Sequence, residues 1–180
     1  ENKGYGYQNN ARWPRWRHMK LEVLDGRARM WIDYADEYLE VTLPESYEGG
    51  YIYLAAACNE ARFKNLAITP LEADTDRVIE VSFDSLADVK RNFDSYYFIN
   101  PLKHTRQNGE EAQSVEVEQH WEIKSDDGGN YIARKNTWGN WWETPTHGQM
   151  AQLVYKTPHK NFELEIEYYQ NNEGWRFPLV

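Results

Sequence analysis

A single cysteine, Cys58, occurs in 180 residues, so an internal disulfide and a cysteine-rich metal cluster are both excluded. Following three alanines, it reads as a small core filler. No apolar run approaches the roughly 20 residues that a membrane-crossing helix needs, and mean hydropathy is -0.88. Positive charge is outnumbered: 20 Lys and Arg face 29 Asp and Glu, a net charge of -9. That field repels phosphate backbones and speaks against nucleic acid as a partner, as the hydropathy does against a membrane. The histidines, at positions 18, 104, 120, 147 and 159, show no His-x-x-x-His spacing, so zinc is not expected. Gly-x-Ser-x-Gly elbows, glycine-rich phosphate loops and Cys/His nucleophile pairs are likewise missing. The opening residues Glu1-Asn2-Lys3-Gly4 form no apolar h-region, which fits a mature chain, a piece of a larger protein or a cytoplasmic one.

What the chain has in abundance is aromatic side chains and period-two patterning. Aromatics reach 15%, with 8 Trp and 13 Tyr, more large rings than a core of this size absorbs, so several are expected at the surface as flat stacking faces. With 41% hydrophobic residues, the chain can build one all-β core. From Trp16 to Leu24, Trp16, His18, Lys20 and Glu22 alternate with Arg17, Met19, Leu21 and Val23. Asp25-Gly26 then supplies the pair that a tight hairpin turn prefers, and Arg27 to Asp33 returns with Ala28, Met30 and Ile32 on one face. Another strand is expected over Glu37 to Leu43, stopped by Pro44. Gly49-Gly50 feeds a run at Tyr51 to Ala57, and beyond a polar corner at Cys58-Asn59-Glu60 a second run covers Ala61 to Thr69; together these read as a closing hairpin.

The acidic, turn-prone stretch 71–76 divides the chain. Beyond it, strands are expected at Arg77 to Phe83, Asp94 to Ile99, Gln119 to Lys124, Tyr131 to Lys135, Met150 to Tyr155 and Phe162 to Tyr169, with an apolar run at Trp175 to Val180. Ser85 as a cap, with Leu86 and Val89, marks one or two helical turns, the only helical candidate. About a dozen short strands with turn signals between them predict a two-sheet antiparallel β-sandwich.

Several of these segments carry a family likeness. Phe83-Asp84-Ser85, Trp121-Glu122-Ile123-Lys124, Tyr131-Ile132-Ala133, Leu153-Val154-Tyr155-Lys156 and Asn161 to Tyr168 resemble the first half of a concanavalin A-like jelly roll. Trp16 to Val23 with Asp25-Gly26, Met30 to Asp33, Gly50 to Leu54 and Phe63 to Ile68 are similar to its second half. Within that fold the chain resembles carbohydrate-binding module family 66, the sugar-binding modules of fructan-degrading glycosidases, and the 3-keto-disaccharide hydrolase-type domain. The order is permuted: residues 1–70 resemble the C-terminal half and 77–180 the N-terminal half, with 71–76 joining the old ends of one domain spanning 1–180. Two fragments of tandem domains would give the same order.

Sugar rings present C–H faces that stack on indoles and hydroxyls that seek carboxylates, amides and guanidiniums. The loop Thr137 to Gly148 offers Trp138, Trp141 and Trp142 beside Asn140 and Glu143; it is either a ligand platform or a loop burying its tryptophans as a satellite core. Trp13-Pro14-Arg15-Trp16-Arg17-His18 reads either as a ligand lip, with Trp13 stacking and Arg15 or Arg17 donating, or as a strand whose Trp16 packs inward; for Trp16 the inward reading is preferred. Glu163, Glu165 and Glu167 share one strand face, as an acidic row in a groove or an ordinary solvated face. Asp126-Asp127-Gly128-Gly129-Asn130 is an oxygen-rich turn that lacks the ligand spacing of a dedicated calcium loop. The expectation is a non-catalytic module binding an oligo- or polysaccharide such as a fructan, accessory to a carbohydrate-active catalytic domain and without a cofactor, that turn being read as an ordinary turn with a structural calcium as the alternative. The resemblance implies an extracellular or cell-surface location in a bacterium. The alternatives are a glycoside hydrolase of the same fold using an Asp/Glu pair and a structural accessory domain without ligand.

Overall fold

The structure, a computed structural model, describes residues 15–56, 61–71, 78–98, 113–135, 150–157 and 159–170. In chain order the elements are β1 (Arg15–Leu24), β2 (Arg27–Ile32), β3 (Leu39–Thr42), β4 (Tyr51–Ala56), β5 (Arg62–Pro70), β6 (Ile79–Val81), α1 (Leu86–Asn92), β7 (Asp94–Phe98), β8 (Gln113–Ser114), α2 (Val117–His120), β9 (Trp121–Asp126), β10 (Gly129–Arg134), β11 (Met150–Lys156) and β12 (Phe162–Gln170). Two antiparallel sheets face each other, as the alternation predicts. Sheet A runs β3-β2-β1-β12-β5-β10-β9, and sheet B runs β4-β11-β7-β8. Sheet A branches at β5, whose one edge meets β12 while the other is shared by β10 at Arg62 and Phe63 and by β6 at Leu66 to Ile68.

Alternation makes the core. On β12, Phe162, Leu164 and Ile166 are buried, and Leu66 and Ile68 of β5 lie beside them. Leu54 and Ala56 of β4 and Ala151 and Leu153 of β11 close the core from sheet B. The β1–β2 hairpin forms at Asp25-Gly26, where both residues take positive φ (49° and 75°) as a tight primed turn requires. Ser85 caps α1 by accepting the Asp88 N–H, and Val89 and Phe93 seat the helix on the core. Neither described helix is long and apolar enough to cross a membrane.

Three features differ from the sequence expectation. Tyr51–Ala56 and Arg62–Pro70 are not a hairpin: β4 pairs with β11 in sheet B, whereas β5 lies in sheet A, so the two runs belong to different sheets. Both strands carry buried apolar positions, and facing sheets satisfy them from opposite sides. Next, β5 holds a bulge at Asn65, which has φ 53°. Lys64 therefore shares a face with Glu167 and Leu66 enters the core, although strict alternation puts both on one face. Finally, Val117–His120 is a short helix where a strand from Gln119 was expected. Glu116 and Gln119 form a reciprocal capping box that stabilises this turn, and the strand starts at Trp121. Cys58 and the run Trp175 to Val180 lie outside the described residues.

Candidate functional site

The outer face of sheet A gathers the polar and aromatic positions. Parity on β1 turns Met19, Leu21 and Val23 to the core and leaves Trp16, His18, Lys20 and Glu22 outside. Trp16 thus does not pack inward, contrary to the reading of its sequence. Its ring meets Tyr169 and Tyr131 edge-on, at centroid distances of 5.5 Å and 5.4 Å. The Arg62 guanidinium lies 4.3 Å from the Tyr169 ring centroid, and Lys64 Nζ lies 4.2 Å from that of Trp16. The carboxylate row of β12 faces this same surface, each member with a partner: Glu163 to Lys20 at 2.5 Å, Glu165 to His18 at 2.7 Å, and Glu167 to Asn65 Nδ2 at 2.7 Å.

A half-open concavity of about 250 Å³ opens where β1 starts and β2 ends, lined by Trp16, Arg17, His18, Asp33, Tyr34 and Glu167. Its wall is shaped by an unusual turn. Asp33 and Tyr34 both adopt left-handed backbone (φ 53° and 58°), closed by the Ala35 N–H donating to the Ile32 carbonyl at 3.2 Å. Asp33 tolerates this conformation, but for tyrosine it costs roughly 1–2 kcal/mol. The surroundings enforce it. The Asp33 N–H donates to the His18 carbonyl at 2.9 Å, the His18 N–H donates to Asp33 Oδ1 at 3.2 Å, and Asp33 Oδ2 takes Arg15 at 2.9 Å and Arg17 at 2.7 Å. As a result the Tyr34 ring lies flat on His18, 4.1 Å away at 9°, with the side chain 77% exposed.

Beneath the platform Lys64, only 4% exposed, is enclosed by the Trp16 ring, Asp126 Oδ1 at 3.5 Å and Glu167 Oε2 at 3.8 Å. A Cβ on Gly128 would crowd the Lys64 ammonium, so a side chain at this turn position would push the end of the lysine aside. Asp126 accepts the Trp16 indole N–H at 2.7 Å and the Gly128 N–H at 2.8 Å. The Trp16 bond first, then the Gly128 N–H and Lys64, hold its carboxyl below the usual aspartate range against a partial desolvation. Because the folded value is the lower one, this contribution is present above the unfolded pKa and disappears as pH falls through the folded one. Asp126→Asn is therefore expected to flatten the acid limb of stability against pH while changing its neutral-pH slope little, as urea unfolding across pH 2–6 would register. An unchanged acid limb would refute the link.

Of the residues singled out by sequence, Arg15 stands at the exposed start of β1, bound to Asp33 on the rim of the concavity. Trp13, Trp138, Asn140, Trp141, Trp142 and Glu143 lie outside the described residues. Asp33 stands in the sequence only as the end of an expected strand and Tyr34 not at all, and the only signal of a site is this acidic-aromatic pair. The turn 126–130 that invited calcium has both Asp126 oxygens engaged by N–H donors. Among the described residues no three His, Cys, Asp or Glu side chains converge on a metal position. Fold and face together define an all-β, two-sheet sandwich with an aromatic, charge-lined concavity on one outer surface. Compared with known proteins, the chain matches no family model, no curated protein and no solved structure.

Proposed function

We propose that the chain is a non-catalytic glycan-binding module whose site is the concavity at Tyr34, accessory to a carbohydrate-active enzyme at an extracellular or cell-surface location. The observation that carries this reading is the Tyr34 ring, held outward on costly backbone over a hollow lined with guanidinium, imidazole and carboxylate groups. An aromatic face beside such groups matches the amphipathic surface of a sugar: the C–H face stacks while hydroxyls donate to Asp33 or Glu167 and accept from Arg17. A volume of about 250 Å³ is below the usual range of drug-sized pockets, which favours one sugar unit of a longer, solvent-exposed chain. Trp138, Trp141 and Trp142, with Asn140 and Glu143, remain proposed as a second contact, as does Trp13 beside Arg15.

The hydrolase alternative needs a pair of Asp or Glu carboxyl groups, one to act as acid and the other as base or nucleophile. Asp33 is held by two guanidiniums, and Glu167 by Asn65 and Lys64, so both candidates in the hollow serve as structural acceptors. The permuted jelly-roll order belongs to the proposal too. Arg15 and Gln170 are register partners on adjacent antiparallel strands, as the arms of one hairpin would be, and β5 and β6, flanking the segment 71–76, also pair antiparallel.

The test is a panel of plant and microbial polysaccharides, fructans first, measured by calorimetry and by reducing-sugar release. Binding without release, lost in Trp16→Ala and Tyr34→Ala, is the expected result. Binding that survives both changes but disappears in Trp138→Ala or Trp141→Ala would move the site to that loop, and absence of binding across the panel would overturn the reading.

A further inference from the structure

The β3 edge of sheet A, unpaired among the described residues, has the features of an interface. Among the described residues, four of the eight large hydrophobic residues that stand most exposed fall between positions 34 and 41: Tyr34, Tyr38 (45%), Leu39 (40%) and Val41 (58%). Among the described residues β3 pairs only with β2. Natural edges are blunted by short length, charge, proline or a bulge; β3 is short and carries Glu40, but Leu39-Glu40-Val41-Thr42 contains no lysine, proline or bulge. The Leu43 N–H donates to the Gly26 carbonyl at 2.8 Å, across β2. Alternation then turns the main-chain groups of Val41 toward β2 and those of Glu40 and Thr42 outward.

We propose that a second copy of this chain docks here, β3 against β3, antiparallel about a two-fold axis through Val41. A two-fold perpendicular to the sheet keeps like faces together. In this register Val41 meets Val41 of the partner subunit and Leu39 meets Leu43 of the partner subunit, on the side of Ala28 and Met30. Glu40 faces Thr42 of the partner subunit, and the outward groups of these residues supply about four main-chain hydrogen bonds. The charges agree with this register. Thr42 is the ladder partner of Arg27, which is 59% exposed and only loosely held, 3.5 Å from Glu40 of its own chain. Across the two-fold, Glu40 therefore looks over Thr42 toward Arg27 of the partner subunit, and Arg27 toward Glu40 of the partner subunit. Arg29, donating from Nε at 2.7 Å, keeps the Glu40 carboxyl below its usual range and so negative for that contact. A register shifted by two residues one way would oppose Glu40 to itself, and shifted the other way would centre on Thr42 and set Glu40 against Pro44, losing the Glu40–Arg27 contact.

Sedimentation velocity over a wide concentration range is the measurement, supported by thermal melts to show that each variant is folded. A concentration-dependent dimer is expected, with dissociation constants raised roughly tenfold or more by Val41→Lys. Thr42→Pro should act similarly, because it removes an outward N–H and leaves the β2 ladder intact. In a Cys58→Ser background, Val41→Cys should form an intermolecular disulfide on mild oxidation, since opposed Cα atoms of a non-hydrogen-bonded pair lie about 4.5 Å apart. Leu39→Cys should not. A wild-type chain that stays monomeric, a dimer insensitive to both Val41→Lys and Thr42→Pro, or equal cross-linking at positions 39 and 41 would each overturn the proposal.

Discussion

Trp121→Ala should lose about 3–5 kcal/mol of stability, equivalent to a fall in Tm of roughly 6–20 °C for a domain of this size. The indole is fully buried at the start of β9, its ring 6.3 Å from Phe63, and the Trp121 N–H closes α2 by donating to the Val117 carbonyl. Alanine keeps that main-chain bond but leaves a void that neighbours fixed in two sheets cannot fill. The effect should fall on packing alone. The Trp121 indole N–H is itself buried without a hydrogen-bond partner among the described residues, so Trp121→Phe keeps a ring and discards an unsatisfied donor, and most of the loss should be recovered. Chemical denaturation of the two variants checks this. A Trp121→Ala protein within 1 kcal/mol of wild type would show that the site collapses in a way the tight packing argues against.

Tyr34 should behave in the opposite sense. Glycine accepts left-handed backbone without strain, so Tyr34→Gly is expected to gain about 1 kcal/mol of stability. Tyr34→Ala keeps the strain and should be neutral or slightly destabilised. If the ring serves glycan binding, the two variants differ in stability yet share a loss of sugar affinity of about tenfold or more. Such a pair separates function from folding, since a structural tyrosine would lose stability in both. The experiment needs one responsive polysaccharide, a melting curve and a titration. Retained affinity in Tyr34→Gly would remove this residue from the site.

Local chemistry carried much of the fold. Asp25-Gly26 announced its hairpin because only a few residues tolerate two consecutive positive φ values, and Ser85 announced α1 because its hydroxyl satisfies an orphan N–H. Alternation along Phe162 to Tyr169 separated core from surface before any partner strand was known. The misread parts are those where one local pattern serves two long-range outcomes. A polar corner between two strands suits a hairpin and a crossover between sheets equally, and only the pairing of β4 with β11 decides. The bulge at Asn65 moved Lys64 away from the face shared with Leu66, and with it the cation beneath Trp16. For the candidate site, Arg15 and the amphipathic stretch around Trp16 were visible as composition. Tyr34 was not, because tyrosine is a poor predictor of the backbone it adopts there.

The placement of β12 also bears on how the molecule assembles. It is the last described strand, yet it lies inside sheet A between β1 and β5, with Arg15 opposite Gln170. On a ribosome, β1, β2 and β3 emerge early and can zip locally, whereas the strand that joins them to β5 arrives at least 90 residues later than any of them. Contacts of such sequence separation form slowly, and until they form the apolar sides of β1 and β5 stay open to other chains. Synthesis and closure of this sheet are thus coupled in time, and a nascent chain stalled before residue 162 would lack its central strand.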